Sequence, residues 1–275
     1  MRVILLLLCL QPALLSAAPR VVASIAPLEE IAAAIMSGVG EPEVIIKGHA
    51  SAHHFALRPS HLALLQQADL VIWVDRHFES GFNRIPAILP TSAAGLELVP
   101  ALGIDGGDGH FWYAPGLLQK SAGLIAATLI RLDPAHGERY RANALTLEED
   151  IRAWRERIRE RWQTGAPRIL TGHDFLRLFA AELGIFEIES IYDRHDSRGG
   201  LKDLRRLETW LRESPAACLL TLERDLPALA ESLADKYGLR VVRIDDEAVT
   251  AAGEGALLRR LARLEVAIEI CADGN

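Results

Sequence analysis

Seven short apolar runs, most of them nearly uninterrupted, recur along the 275-residue chain, at residues 21–25, 44–46, 70–74, 169–171, 186–191, 218–221 and 241–244. A strand with one wet face alternates apolar and polar residues, so a run without alternation belongs to a strand covered on both faces. Between the runs, residues 28–36, 59–67, 116–131, 175–183, 201–213 and 226–237 carry helical patterns. Strands alternating with helices build parallel sheets layered between those helices. The chain is therefore expected to be α/β, and its 50% hydrophobic content is enough for a substantial core.

Residues 133–163 break this rhythm. Asp133 can cap a helix with Pro134 at its first position, and no Pro or Gly follows between Tyr140 and Gln163. Leu147, Ile151, Trp154, Ile158 and Trp162 share one helical face. The other face is charged, with i,i+4 pairs such as Glu148–Arg152 and Arg152–Glu156. A helix of about 30 residues is roughly 45 Å long, more than one crossover needs. It reads as a rigid brace. The expected organisation is a leader at 1–18, an N-terminal α/β lobe at 19–132, a linking backbone helix at 133–165 and a C-terminal α/β lobe at 166–275.

In the leader, Arg2 precedes an apolar stretch, and Ser16, Ala17 and Ala18 supply small residues for cleavage. This is the pattern of a secretory signal peptide. Pro12 interrupts it, and it is too short to span about 30 Å of hydrocarbon. An exported, periplasmic protein is expected. The formal net charge of −7 argues against a general nucleic-acid binder, which needs a basic face. The basic stretch 155–162 is interleaved with acids and reads as a solvated helix face. Cys9 lies in the leader, which leaves Cys218 and Cys271. In an oxidising compartment they either pair or remain two buried thiols.

Polar residues follow the strands at telling places. His53 follows the run at 44–46, His110 lies in a glycine-rich loop before a helix, His173 follows the run at 169–171, and Asp245 follows that at 241–244. Glu223 also follows its strand. Ligands of open α/β sheets bind outside the carboxyl ends of the strands, so these groups can meet in a cleft between the lobes. Three imidazoles and a carboxylate suit a borderline divalent cation such as zinc. Local metal motifs such as HExxH or CxxC are absent, so spacing alone leaves this site open. His49, His61, His77, His136 and His195 are expected to face solvent, and His54 to turn away or make a supporting contact. A looser metal trap built from His49, His53, His54 and His61 is the alternative.

The stretch AHHFALRPSHLALLQQADLVIWVDRHFES, the segment GHFWYAP, the segment TGHDFLRLFAAELG and the segment RIDDEA together resemble the zinc- and manganese-type (cluster A-I) solute-binding proteins of ABC importers, and among them the ZnuA-type zinc-uptake proteins. The similarity runs over essentially the whole chain after the leader. It implies two lobes of mainly parallel sheet joined by one long rigid helix, with a metal cleft between them. It implies His53, His110, His173 and Asp245 as metal ligands, and a disulfide between Cys218 and Cys271. A histidine rather than a glutamate at position 173 implies zinc rather than manganese. Two blocks depart from the family pattern, as Leu222-Glu223-Arg224-Asp225 and as Ile244-Asp245-Asp246-Glu247. The fourth ligand is therefore open among Asp245, Asp246, Glu223, a water molecule and, from its position, His54.

The resemblance implies a non-enzymatic, monomeric protein that captures Zn2+ as cargo and passes it to a membrane permease served by an ATPase subunit. Rival readings are a carrier of manganese or another divalent metal, an adhesin of the same fold, and an exported zinc hydrolase using Glu223 or Asp245 as base. Imidazole ligates as the neutral base, so capture should weaken as pH falls through about 6.5.

Overall fold

The computed structural model describes residues 17–47, 52–104, 109–192, 201–214, 218–222, 226, 228–244 and 255–273. The leader up to residue 16, His49, His195, Glu223, Asp245, Asp246 and the side chain of His54 fall outside them. No helix among the described residues is long and apolar enough to cross a membrane.

The first lobe contains β1 (Val21–Ala23), α1 (Ala26–Met36), β2 (Glu43–Val44), α2 (Pro59–Leu65), β3 (Leu70–Trp73), α3 (Ile85–Ile88), β4 (Ala94–Glu97), α4 (Leu98–Leu102) and α5 (Pro115–Leu132). Next comes α6 (Gly137–Trp162). The second lobe contains β5 (Arg168–His173), α7 (Arg177–Leu183), β6 (Glu187–Tyr192), α8 (Leu201–Glu213), β7 (Cys218–Thr221), α9 (Ala228–Tyr237), β8 (Arg240–Arg243) and α10 (Ala256–Ala272). Single helical turns lie at Ala52–His54, Ser80–Phe82, Phe111–Tyr113 and Pro134–His136.

Each lobe has a four-stranded parallel sheet, in the orders β2-β1-β3-β4 and β6-β5-β7-β8. Counted within its own lobe, each sheet has the same order, 2-1-3-4. The direction of winding therefore reverses beside β1 in one lobe and beside β5 in the other. Such switch points open a crevice at the carboxyl ends of the strands. The strands β3 and β7 are buried at every position, as their unbroken apolar runs require.

Two strand expectations need correcting. The run at 44–46 pairs at Glu43–Val44 instead, while Ile45 and Ile46 continue the chain with single backbone bonds to Ala23 and Ser24. The strand β4 was not anticipated, because Ala-Gly-Leu-Glu is neither an apolar run nor a strong alternation. It is an edge strand and only partly covered.

The long helix begins later than expected. Residues 134–136 form a separate turn, and Asp133 makes no side-chain cap. Its carboxylate instead accepts bonds from His136 Nδ1 (2.7 Å) and the buried Tyr140 hydroxyl (2.8 Å). The predicted face of α6 is buried at Leu147, Ile151, Trp154, Ile158 and Trp162. It packs on α1 and α5 of the first lobe and on α10 of the second. Asn143 Nδ2 also donates to the carbonyls of Ile35 and Ser37, at 2.8 and 2.9 Å, which closes the C-terminal end of α1. One apolar cluster consequently runs from Val21 through α6 to Ile169 and Leu264. A smaller one lies between the second sheet and α8 and α9.

Two covalent or charged ties fasten α10. Cys218 of β7 and Cys271 of α10 form a disulfide, their Cα atoms 5.2 Å apart. Arg260 of α10 donates to both carboxylate oxygens of Glu30 on α1, from Nε and Nη2, each at 2.8 Å. Their side chains are 1% and 0% exposed, so this pair joins the lobes without water. Burial, with the neighbouring charge of Glu30, pushes Glu29 up to about 7.

Removing one partner of a buried pair strands the other charge, at a cost of about 3–5 kcal/mol. In urea titrations Glu30→Ala should lower the free energy of unfolding by that amount, and the double variant Glu30→Leu/Arg260→Met should recover most of it. Equal losses in the single and double variants would show that the stranded charge is not the cause.

Candidate metal centre

Both sheets direct their carboxyl ends at one place. His53 sits in the turn Ala52–His54, His110 just before the turn Phe111–Tyr113, and His173 at the last position of β5. The ring centres of His110 and His173 are 5.2 Å apart, and those of His53 and His110 are 6.3 Å apart. Imidazoles from the two lobes thus face each other across the cleft. Two imidazoles on a tetrahedral zinc, with Zn–N near 2.0–2.1 Å, stand with ring centres about 5 Å apart. His110 and His173 already have this separation, while His53 needs to close by about 1 Å. Among the described residues, no group of three or more His, Cys, Asp or Glu side chains is already gathered to hold a metal. The three rings form an open arc.

Local structure orients this arc. Asp75 follows β3, and its Oδ1 accepts the amides of His77 and Phe78 at 2.8 and 2.6 Å. The buried Glu79 carboxyl group accepts the Val74 amide at 2.7 Å through Oε2 and closes the same turn. The turn then holds His53. Its Nδ1 lies 3.0 Å from the Phe78 carbonyl, and a carbonyl can only accept. Nδ1 therefore carries the proton, and the basic lone pair is on Nε2, the arrangement that metal-binding histidines use. Ser80 Oγ donates to the His53 carbonyl at 2.9 Å and fixes the backbone of that turn.

Aromatic rings surround the arc. Phe78 lies 4.4 Å from His53 and 5.0 Å from His110 between ring centres. Trp112 is 5.2 Å from His110, and Phe175 is 5.3 Å from His173. His110 is 9% exposed, while His53 and His173 are half-buried. Such an apolar wall restricts water and strengthens any charge interaction within it. Tyr113 supports the wall from below, 5.9 Å from Phe175, and its burial pushes the phenol up to about 12.

Gly109 permits this packing. A Cβ at that position would overlap the Phe78 ring, which is buried and has nowhere to move. Sequence reasoning picked out His110 and passed over Gly109, Phe78 and Glu79. Gly109 is adjacent to the histidine, but only the fold reveals that its missing Cβ is filled by a ring from another turn. The other described histidines do not join the arc. His61 Nδ1 accepts the Arg58 amide at 3.1 Å, His77 is exposed, and His136 pairs with Asp133.

Comparison with known proteins bears on what this arrangement serves. The family model ZnuA, described as zinc-uptake complex component A periplasmic, matches residues 21–260. A high-affinity zinc uptake system protein ZnuA of Yersinia pestis is 25% identical over 264 residues, covering 83% of each chain. Among solved structures, the periplasmic zinc binding protein TroA from Treponema pallidum superposes with a TM-score of 0.79 at 16% identity, covering 93% of this chain and 98% of that one. The laminin binding protein Lmb of Streptococcus agalactiae, described as having adhesin and metal transporting activity, gives 0.81 at 20% identity, covering 92% and 99%. At these identities the two structures share the fold.

Two outcomes test this geometry. Overpacking a buried site costs about 1–3 kcal/mol, so Gly109→Ala should weaken metal binding about tenfold as Phe78 and His110 are forced apart. Competition against a chromophoric chelator measures this, and unchanged affinity would contradict the packing argument. The second outcome concerns Glu79, whose burial raises its pKa from 4.5 to about 8. The folded protein then holds a proton that the unfolded chain releases above its ordinary value, so this group's contribution is full below 4.5 and is lost as pH rises to about 8. Glu79→Gln should lose less stability than the parent between pH 5 and pH 8 in urea titrations, and parallel profiles would contradict the assignment.

Proposed function

Because the chain belongs to the ZnuA family of periplasmic zinc-uptake proteins, which are substrate-binding transport components and not enzymes, we propose that it captures Zn2+ and delivers it to the permease of an ABC importer. The observation that carries this reading is the arc of His53, His110 and His173 across the cleft, with His53 held in the ligating tautomer by Phe78. Neutral imidazoles favour zinc over the harder manganese ion, which prefers oxygen.

Zinc is the cargo. Its arrival draws His53 toward His110 and His173 and closes the arc. Asp245, two residues beyond β8, supplies the fourth ligand, with Asp246, Glu223 and His54 as the other candidates. A filled tetrahedral shell leaves no coordination position for catalysis, which suits carriage. The protein works as a monomer in the periplasm after its leader at 1–18 is removed. The lobes at 19–132 and 166–275 and the linking segment at 133–165, which carries α6, are its working parts. The apolar cluster running through α6 resists wide hinge opening, so release proceeds by local movement of the histidine-bearing turns at the permease.

Isothermal titration of single alanine variants tests the reading. His53→Ala, His110→Ala and His173→Ala should each weaken zinc binding by at least about tenfold, because each removes one imidazole from the set. Binding in the parent should fall as pH drops from about 7.5 to 5.5, because protonated imidazole cannot ligate. Unchanged affinity in all three variants would overturn the assignment, and a preference for Mn2+ over Zn2+ in competition would overturn the choice of cargo.

A further inference from the structure

We infer that Glu182 is a positioning residue for zinc capture, because its carboxylate on α7 of the second lobe caps the N-terminus of α5 in the first lobe and so clamps the His173 turn against the His110 turn. The inference rests on the reading that zinc is held by His53, His110 and His173.

The helix α5 has eighteen residues and no cap of its own. Ala114 at the capping position has no side-chain acceptor, Pro115 has no N–H, and no acidic residue stands in the first turn. The first amide that needs a partner is that of Gly116. It donates to both oxygens of Glu182, at 2.7 Å to Oε1 and 2.9 Å to Oε2. A carboxylate at a helix N-terminus also meets the positive end of the helix dipole. The cap that α5 lacks locally therefore comes from the opposite lobe.

The two ends of this contact lead directly to the ligands. Gly116 is six residues past His110, with the buried residues Phe111, Trp112, Tyr113 and Ala114 between them. Glu182 lies on the short helix that follows His173, and that helix packs on both α5 and the turn Phe111–Tyr113. The rings of Tyr113 and Phe175 meet between the two chain segments. A shift at the cap is therefore transmitted through rigid, buried elements to the separation of His110 and His173.

Gly116 makes the contact testable from both sides. A Cβ there would stand 2.9 Å from Glu182 Oε1. Gly116→Ala favours helix formation yet crowds the carboxylate, so it separates helix stability from clamping. Glu182→Ala removes the cap, and Glu182→Gln keeps one acceptor oxygen without the charge. Leu233→Ala, in the separate apolar cluster of the second lobe, serves as a destabilised control away from the cleft.

Zinc release into excess chelator by stopped flow, together with the visible spectrum of the Co2+-loaded protein, reads the effect. Glu182→Ala should speed release about tenfold and alter the Co2+ bands, as loss of ligand support does. Gly116→Ala, whose Cβ only displaces the flexible end of Glu182, and Glu182→Gln should each lie between Glu182→Ala and the parent, and Leu233→Ala should match the parent. Parent-like release from Glu182→Gln and Glu182→Ala, or equally fast release from Leu233→Ala, would overturn the inference. A His53→Ala control separates the two levels: zinc binding that does not depend on His53 overturns the functional reading and this inference with it.

Discussion

Arg260 and Glu30 meet out of water, across the boundary between lobes built from opposite ends of the chain. A charge pair so placed tolerates little displacement, because separating it in the interior leaves two uncompensated charges. Cys218–Cys271 ties α10, which carries Arg260, to the second sheet, and apolar packing along α6 adds a further restraint between the lobes. Each sheet carries only part of the ligand set. The relative placement of the lobes therefore decides whether imidazoles from different sheets can serve one ion, and the buried pair is what most narrowly defines that placement.

Among the described residues, aromatic rings line the cleft that results. Phe78, Trp112, Tyr113 and Phe175 surround the histidines, and the fixed hydrogen bonds arrive from backbone carbonyls and amides. A borderline cation gains from such a site, since neutral nitrogen donors compete poorly with water unless water is excluded. The open arc is consistent with transport as well. Two imidazoles stand at ligating separation, and the third is held on a short turn after β2.

Much of the architecture was legible in the residues. The apolar runs identified β1, β3 and β7, which are buried at every position, while the runs at 186–191 and 241–244 became the partly exposed edge strands β6 and β8. The spacing of Leu147, Ile151, Trp154, Ile158 and Trp162 identified the buried face of α6. The misses share a physical cause. The strand β4 is an edge strand whose pairing is supplied by β3, so its own residues need not look like a strand. Asp133 looks like a helix cap, but His136 and Tyr140 compete successfully for its carboxylate. At the site, the histidines stood out through their position after strands and through family resemblance. Phe78, Gly109 and Glu182 did not, because each acts through a partner distant in sequence.

The account stands on three imidazoles sharing one zinc ion. X-ray absorption at the zinc edge of the protein loaded with one equivalent tests this most directly. It should show three imidazole nitrogens at about 2.0–2.1 Å with one oxygen completing the shell. A shell containing sulfur at about 2.3 Å, or one made of oxygen alone, would contradict it.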